Sequence, residues 1–183
     1  MRPTLLIACA ALVFAGPAQA QGLNISTYTD VNLDECSIVS SDDMGSVWTC
    51  AGYKGIPVMI AEGDLRFFVS YGLRSSEEQA ATQTLPPFNH LGPKIEWRLG
   101  KASGELKPFA TILRYYVQRE EGQADGQILV VTKIEPGTTC HVAYVDALAN
   151  PDANEMARSA ADGVAAGFDC ANEPEIVGDF EAW

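Results

Sequence analysis

The sequence predicts an α+β fold, in which a twisted, mainly antiparallel sheet of about six or seven strands carries one helix near the C-terminus. Three observations lead to this prediction. Successive segments rich in β-branched and aromatic residues are separated by turn signals. One late segment has apolar residues at helical spacing. Four cysteines after the leader-like start fall into two pairs that are close in sequence.

The start of the chain has the pattern of a cleaved signal peptide, residues 1–20. Arg2 supplies a positive charge, an apolar run follows, and Ala18, Gln19 and Ala20 form a small-residue cleavage site. The apolar run is too short for a membrane span. We therefore expect residues 21–183 to form a single α+β domain exported into a bacterial envelope, either periplasmic or secreted. Cys9 lies in a weak lipoprotein-like box and is better interpreted as part of the lost leader.

The composition is acidic, with 24 acidic and 12 basic residues and a net charge of −12. Such a surface disfavours nucleic acid and anionic lipid as partners. It would attract a cationic partner, although solubility alone also explains it. No cofactor is predicted, and no metal site is predicted because the two histidines and scattered carboxylates lack the spacing of zinc ligands.

Alternating or continuously apolar segments predict the strands. These segments are residues 47–50, 56–60, 65–71, 95–99, 109–118, 127–134 and 140–148. Strand 65–71 has one apolar face and is expected to be half-buried. Strand 140–148 is apolar on both faces, so it is expected to be covered on both sides.

Turn and cap signals predict the connections. Residues 40–45 and 120–126 are polar and predict loops, and residues 75–78 form a capping box that predicts a short helix to about residue 82. Three prolines exclude residues 85–93 from a helix or a central strand. The acidic tail that follows residue 170 is expected to pack back onto the domain.

The late helix and the strand before it predict a disulfide. Asn150 is a suitable N-cap, Pro151 fits the first helical position, and apolar residues recur to Phe168. A strand of eight steps and a helix of seventeen steps each cover about 26 Å. A helix that returns antiparallel to its strand would bring Cys170 beside Cys140. The remaining cysteines then pair as Cys36–Cys50.

Five residues are candidate ligand contacts. Arg66 and Phe68 share one strand face, and so do Arg114 and Tyr116. A face that mixes arginine and aromatic residues suits anionic or aromatic groups, although cross-strand packing also explains it. His90, in the proline-rich segment, is a better functional candidate than His141, whose strand position favours a structural role.

The sequence has no G-x-S-x-G motif and no C-x-x-C motif, so it favours a small disulfide-stabilised binding or interaction module over an enzyme. The partner is an unknown protein or small molecule. Two alternatives stay open. A small hydrolase would use His90 with a nearby carboxylate. An acidic inhibitor of a cationic cell-wall hydrolase would resemble lysozyme inhibitors, of whose recognition pattern the Tyr53, Lys54 and Gly55 turn offers only a fragment.

Overall fold

The computed structural model describes residues 24–102 and 104–183, so the predicted signal peptide lies outside the described residues. Within these ranges the chain forms ten strands and one α-helix. The strands are β1 (Ile25–Asp30), β2 (Ser37–Asp42), β3 (Gly45–Ala51), β4 (Pro57–Gly63), β5 (Arg66–Tyr71), β6 (Asn89–Ala102), β7 (Glu105–Val117), β8 (Gly126–Lys133), β9 (Cys140–Asp146) and β10 (Glu175–Ile176). The helix is α1 (Ala153–Val164). The predicted α+β class is confirmed.

The strands are divided between two sheets. One sheet has six strands in the order β1-β6-β7-β8-β9-β10, and the other has four in the order β2-β3-β4-β5. Every pairing is antiparallel except that of β9 with β10, which is parallel. The six-stranded sheet agrees with the predicted sheet size. The four-stranded sheet is an additional layer, since alternation indicates that a strand face is buried but does not say against which element.

The six-stranded sheet lies between the second sheet and α1, and its strands alternate accordingly. Ile95, Trp97 and Leu99 of β6 join the core that includes Val58 and Ile60 of β4. Residues of opposite parity join a second core under the helix, as Ile112, Leu129 and Val131 do with the alanines of α1. The two-sided burial predicted for residues 140–148 is thereby confirmed along β9.

Both predicted disulfides are present. Cys140 and Cys170 are bonded with their Cα atoms 5.9 Å apart, and Cys36 and Cys50 with their Cα atoms 4.5 Å apart. Helix α1 packs against β8 and β9, as the antiparallel return requires.

The helix begins later than predicted. It starts at Ala153, and Asn150 does not cap it with its side chain. The Asn150 amide instead donates to the carbonyls of Asp146 and Asp179, and its oxygen accepts from the Asp179 N–H at 3.1 Å. Asn150 thus fastens the C-terminal tail, in which Ala182 is buried, so the expected packing of the tail is confirmed.

Two local predictions are wrong. Residues 75–82 form two short 3₁₀ turns, Ser75–Glu77 and Gln79–Thr82, because Glu78 turns away from a capping role and accepts from the N–H groups of Gly137 and Thr139. Residues 40–45 are not a loop throughout, since β2 extends to Asp42 and pairs with β3 through a tight turn.

The exclusion of residues 85–93 from a helix or a central strand is confirmed, although Asn89 begins β6. Pro93 is tolerated because β1 pairs with β6 only from Lys94 onwards. Residues 89–93 therefore have a strand neighbour on one side alone, and a bulge between Leu91 and Ile95 separates the two parts of the ladder.

A network of ion pairs joins β1, β6 and α1 on the helix side of the sheet. Arg158 Nε donates to Glu96 at 2.7 Å, and Arg98 Nε donates to Asp162 at 2.9 Å. Ser26 of β1 donates to Glu96 as well. Burial alone would raise the pKa of Glu96, but hydrogen bonds from Arg158 and Ser26 outweigh it and lower that pKa.

Within the described part of the chain, none of the helices combines the length and the apolarity that a membrane-spanning helix requires.

Candidate binding cleft

A cleft of about 870 Å³ opens at one end of the space between the two sheets. Its first wall is the inner face of the four-stranded sheet, where paired residues of neighbouring strands share a face. Trp48, Ile60 and Val69 form one inner row, and Glu62 and Phe67 form the next. Ile60 and Val69 are fully buried, whereas Trp48, Glu62 and Phe67 line the cleft. Trp48 and Phe67 are partly buried and also pack against the core, so the edge of the core borders the opening.

The second wall is the segment that enters β6, and Asn89 fixes its shape. The Asn89 amide donates to the carbonyl of Pro87 at 2.9 Å and to that of Leu85 at 3.3 Å. Its side-chain oxygen accepts from the backbone N–H of Phe67 at 3.0 Å. Asn89 is buried, so these bonds are shielded from water and tie β5 to the proline-rich segment. They hold Phe88, which is 41% exposed, at the cleft.

The rim of the cleft is acidic. Glu62 lies on the first wall, and Glu120, Glu121 and Asp125 come from the loop between β7 and β8. Among the residues that the structure describes, no Lys, Arg or His nitrogen lies within 4.0 Å of these four carboxylates. Arg119 also lines the cleft, but its guanidinium donates to a backbone carbonyl in the C-terminal tail. The cleft thus joins apolar walls to carboxylates that form no ion pair with any described residue.

Three of the five predicted contact residues come together. His90 and Tyr116 are directly paired across β6 and β7, and their rings stack with centroids 4.9 Å apart. Arg114 lies on the same face, and its guanidinium donates to Gln127 at 2.8 Å and to Asn154 of α1 at 3.4 Å. His90 borders the cleft, whereas Arg114 and Tyr116 lie on the helix side of the sheet and do not line it.

The other two predicted residues lie elsewhere. Arg66 and Phe68 alternate along β5 with Val69 and Tyr71, whose side chains are in the core between the sheets, so they face away from that core. Arg66 pairs with Asp64 and is 3.5 Å from the carbonyl of Pro86. The two arginine–aromatic faces are therefore in different sheets and do not form one site.

The residues that sequence reasoning missed are Phe67, Phe88 and Asn89 together with the rim carboxylates. Alternation assigned Phe67 to the buried face of its strand, which gave no sign that it also lines a cleft. Asn89 had one available signal, because an asparagine among prolines often bonds to nearby backbone. The β7–β8 loop meets β3 and β5 only because the two sheets pack together. No local sequence pattern could therefore have predicted that these elements line one cleft.

His141 has the structural position that its strand predicts. It is buried in β9, and its Nδ1 lies 3.0 Å from the hydroxyl of Tyr144. Its Nε2 has no hydrogen-bond partner among the described residues. Burial lowers the pKa of His141 to about 3, so the ring is neutral at ordinary pH.

The turn at residues 53–55 places one side chain near the core and another at the surface. The ring of Tyr53 packs near Trp97, with centroids 6.3 Å apart, while Lys54 is exposed and lies 5.4 Å from the Tyr53 centroid. Lys54 and Gly55 of this turn are therefore exposed to a partner, whereas Tyr53 is partly buried.

Residues 24–102 and 104–183 contain no group of three His, Cys, Asp or Glu side chains arranged to hold a metal ion. Comparison of the chain with protein-family models, with curated proteins and with solved structures yields no match.

Proposed function

We propose that this chain is a small, disulfide-stabilised binding module exported into a bacterial envelope, with the cleft as its binding site. The observation that carries the proposal is the composition of the cleft. Trp48, Phe67 and Phe88 supply apolar surface beside unpaired carboxylates. Ligand sites typically combine such apolar walls with a few polar groups that fix orientation.

The cysteines and the start of the chain support this location. The two disulfides fit an extracellular or periplasmic environment, since thiols are kept reduced in the cytoplasm. The leader-like pattern of residues 1–20 also supports export.

Site-specific crosslinking tests the proposal. A photoreactive amino acid replaces Phe88 in the cleft, and the same group replaces Leu73 as a control, because Leu73 is 92% exposed and does not line the cleft. We expect a partner from envelope extract to be captured at position 88 and not at position 73. Equal capture at the two positions, or capture at 73 alone, would contradict the assignment of the cleft.

A specific observation keeps the hydrolase alternative in view, namely that His90 and three loop carboxylates border the same cleft. Binding is favoured over hydrolysis because the His90 ring is stacked on Tyr116 on the other side of the sheet. Turnover by the purified domain in a panel of hydrolase substrates, abolished by His90→Ala, would establish the enzyme and displace the binding module.

The acidic rim gives the inhibitor alternative a defined surface. An inhibitor of a cationic cell-wall hydrolase would act most strongly at low salt, where the attraction between opposite charges is least screened. A lack of inhibition of basic lysozymes at low ionic strength would remove this form of the proposal.

A further inference from the structure

We infer that the ligand of the cleft is a cationic, amphipathic segment of a peptide or protein, whose apolar side chains contact the aromatic walls while its Lys or Arg residues meet the rim. This inference rests on the proposed function, because it takes the cleft as the binding site. It goes further by naming the chemistry of the partner.

Charge complementarity gives the sign of the ligand. Glu62, Glu120, Glu121 and Asp125 lie around one opening without ion-pair partners among the described residues, in a chain of net charge −12. An anionic ligand would be repelled both by the rim and by the field of the whole protein. A cationic ligand would be attracted by both.

The walls show why a bare cation is insufficient. Phe88 is 41% exposed and Leu65, at the turn before β5, is 61% exposed, and both line the cleft beside Trp48 and Phe67. Burial of this surface favours a ligand with apolar groups, at about 25 cal/mol for each Å² removed from water. The aromatic rings also accept Lys and Arg through cation–π contacts.

The shape of the opening favours a polypeptide. The carboxylates come from two elements, Glu62 from β4 on the first wall and the others from the β7–β8 loop, and they line the cleft together with apolar side chains. A segment that carries both an apolar face and basic residues can contact both kinds of group. An aliphatic contact such as Leu65 also suits apolar side chains better than the flat face of a sugar ring.

Isothermal titration of the full mature chain, with both disulfides formed, tests the inference. The probes are a synthetic Lys/Leu amphipathic peptide, a scrambled peptide of the same composition, oligolysine and a neutral chito-oligosaccharide. We expect the amphipathic peptide to bind more tightly than the other three, and its affinity to fall as salt is raised.

Two variants locate the binding. Glu120→Gln/Glu121→Gln should weaken binding of the amphipathic peptide by roughly 2- to 30-fold. Each exposed ion pair changes affinity by a factor of about 1.4 to 5. Phe88→Ala should weaken it about fivefold or more. Glu105→Gln/Glu173→Gln is the matched control, because it removes two exposed carboxylates that do not line the cleft, and it should retain the wild-type affinity. Circular dichroism checks that each variant is folded.

The outcomes separate the two proposals. Chito-oligosaccharide binding that Phe88→Ala weakens, without binding of the amphipathic peptide, would overturn this inference and leave the binding cleft standing. Peptide binding that both variants leave unchanged would overturn the inference, and it would also remove the cleft as the site. Equal affinity for the amphipathic peptide and oligolysine would show that the cleft recognises charge alone. It would overturn the inference that apolar side chains of the ligand contribute to binding.

Discussion

Replacement of His141 by Gln should remove the acid sensitivity that this side chain gives the fold. The ring is 1% exposed in β9, and burial lowers its pKa from 6.5 to about 3. The unfolded chain therefore binds a proton near pH 6.5, whereas the folded chain accepts one only near pH 3. Between these values the free energy of unfolding falls as the pH falls, by about 1.4 kcal/mol for each pH unit.

From pH 7 to pH 4 this loss amounts to about 3 kcal/mol, which is a large part of a typical stability of about 5–15 kcal/mol. Urea unfolding at both pH values measures it in the wild type, His141→Gln and His90→Gln, where the exposed His90 is the matched control. We expect the wild type and His90→Gln to lose about 3 kcal/mol more than His141→Gln, because carboxylate titrations are common to all three. Equal losses in the three proteins would refute the assignment of a buried, neutral imidazole.

Three further changes test other parts of the fold. Cys140→Ser/Cys170→Ser should lose about 3–4 kcal/mol in urea unfolding, because it opens a link between residues 30 apart in sequence; a loss below about 1 kcal/mol would contradict a bond that constrains the unfolded chain. Asn89→Ala should lower thermal stability by about 2–3 kcal/mol, since it leaves buried backbone groups without partners, and unchanged melting would refute its role at the cleft. Arg158→Ala should cost about 1–3 kcal/mol at neutral pH, after allowance for its partial exposure. That cost is fully present above the ordinary Glu value of 4.5 and fades as the pH falls through the lowered pKa of Glu96, so urea unfolding that shows the same cost at about pH 3 would contradict the pairing.

The burial of both faces of β9 and the helix that covers one of them were predictable, because one short stretch carries all the needed signals. Both faces of the strand are apolar, the following segment has an apolar stripe, and equal lengths place Cys170 beside Cys140. These are local patterns. The predicted bond between Cys140 and Cys170 extends them to tertiary structure, because it requires the helix to pack antiparallel to the strand. The same reasoning says nothing about β2 to β5 as a separate sheet, because alternation has the same form whatever element covers a strand.

The two wrong helix-cap predictions share one physical cause, which is that a polar side chain found a distant partner. Glu78 and Asn150 both have the sequence signature of helix caps, yet each bonds to a chain segment more than twenty residues away. Local propensity was overridden in each case by contacts that only the assembled sheets provide.

The candidate site was predictable only in part, and the place where prediction fails bears on function. His90 was identified, whereas the aromatic walls were assigned to the core because Phe67 continues the buried face of Val69 and Tyr71. Folding requires that face to be apolar only as far as the opposing sheet covers it. Phe67, which packs against the edge of the core and is only partly covered, lines the opening together with the exposed Phe88, and the parts of both rings that stay uncovered add apolar surface where water has access. Such surface gains little for stability and carries a risk of aggregation. Its concentration beside unpaired carboxylates is better explained by a partner that covers both.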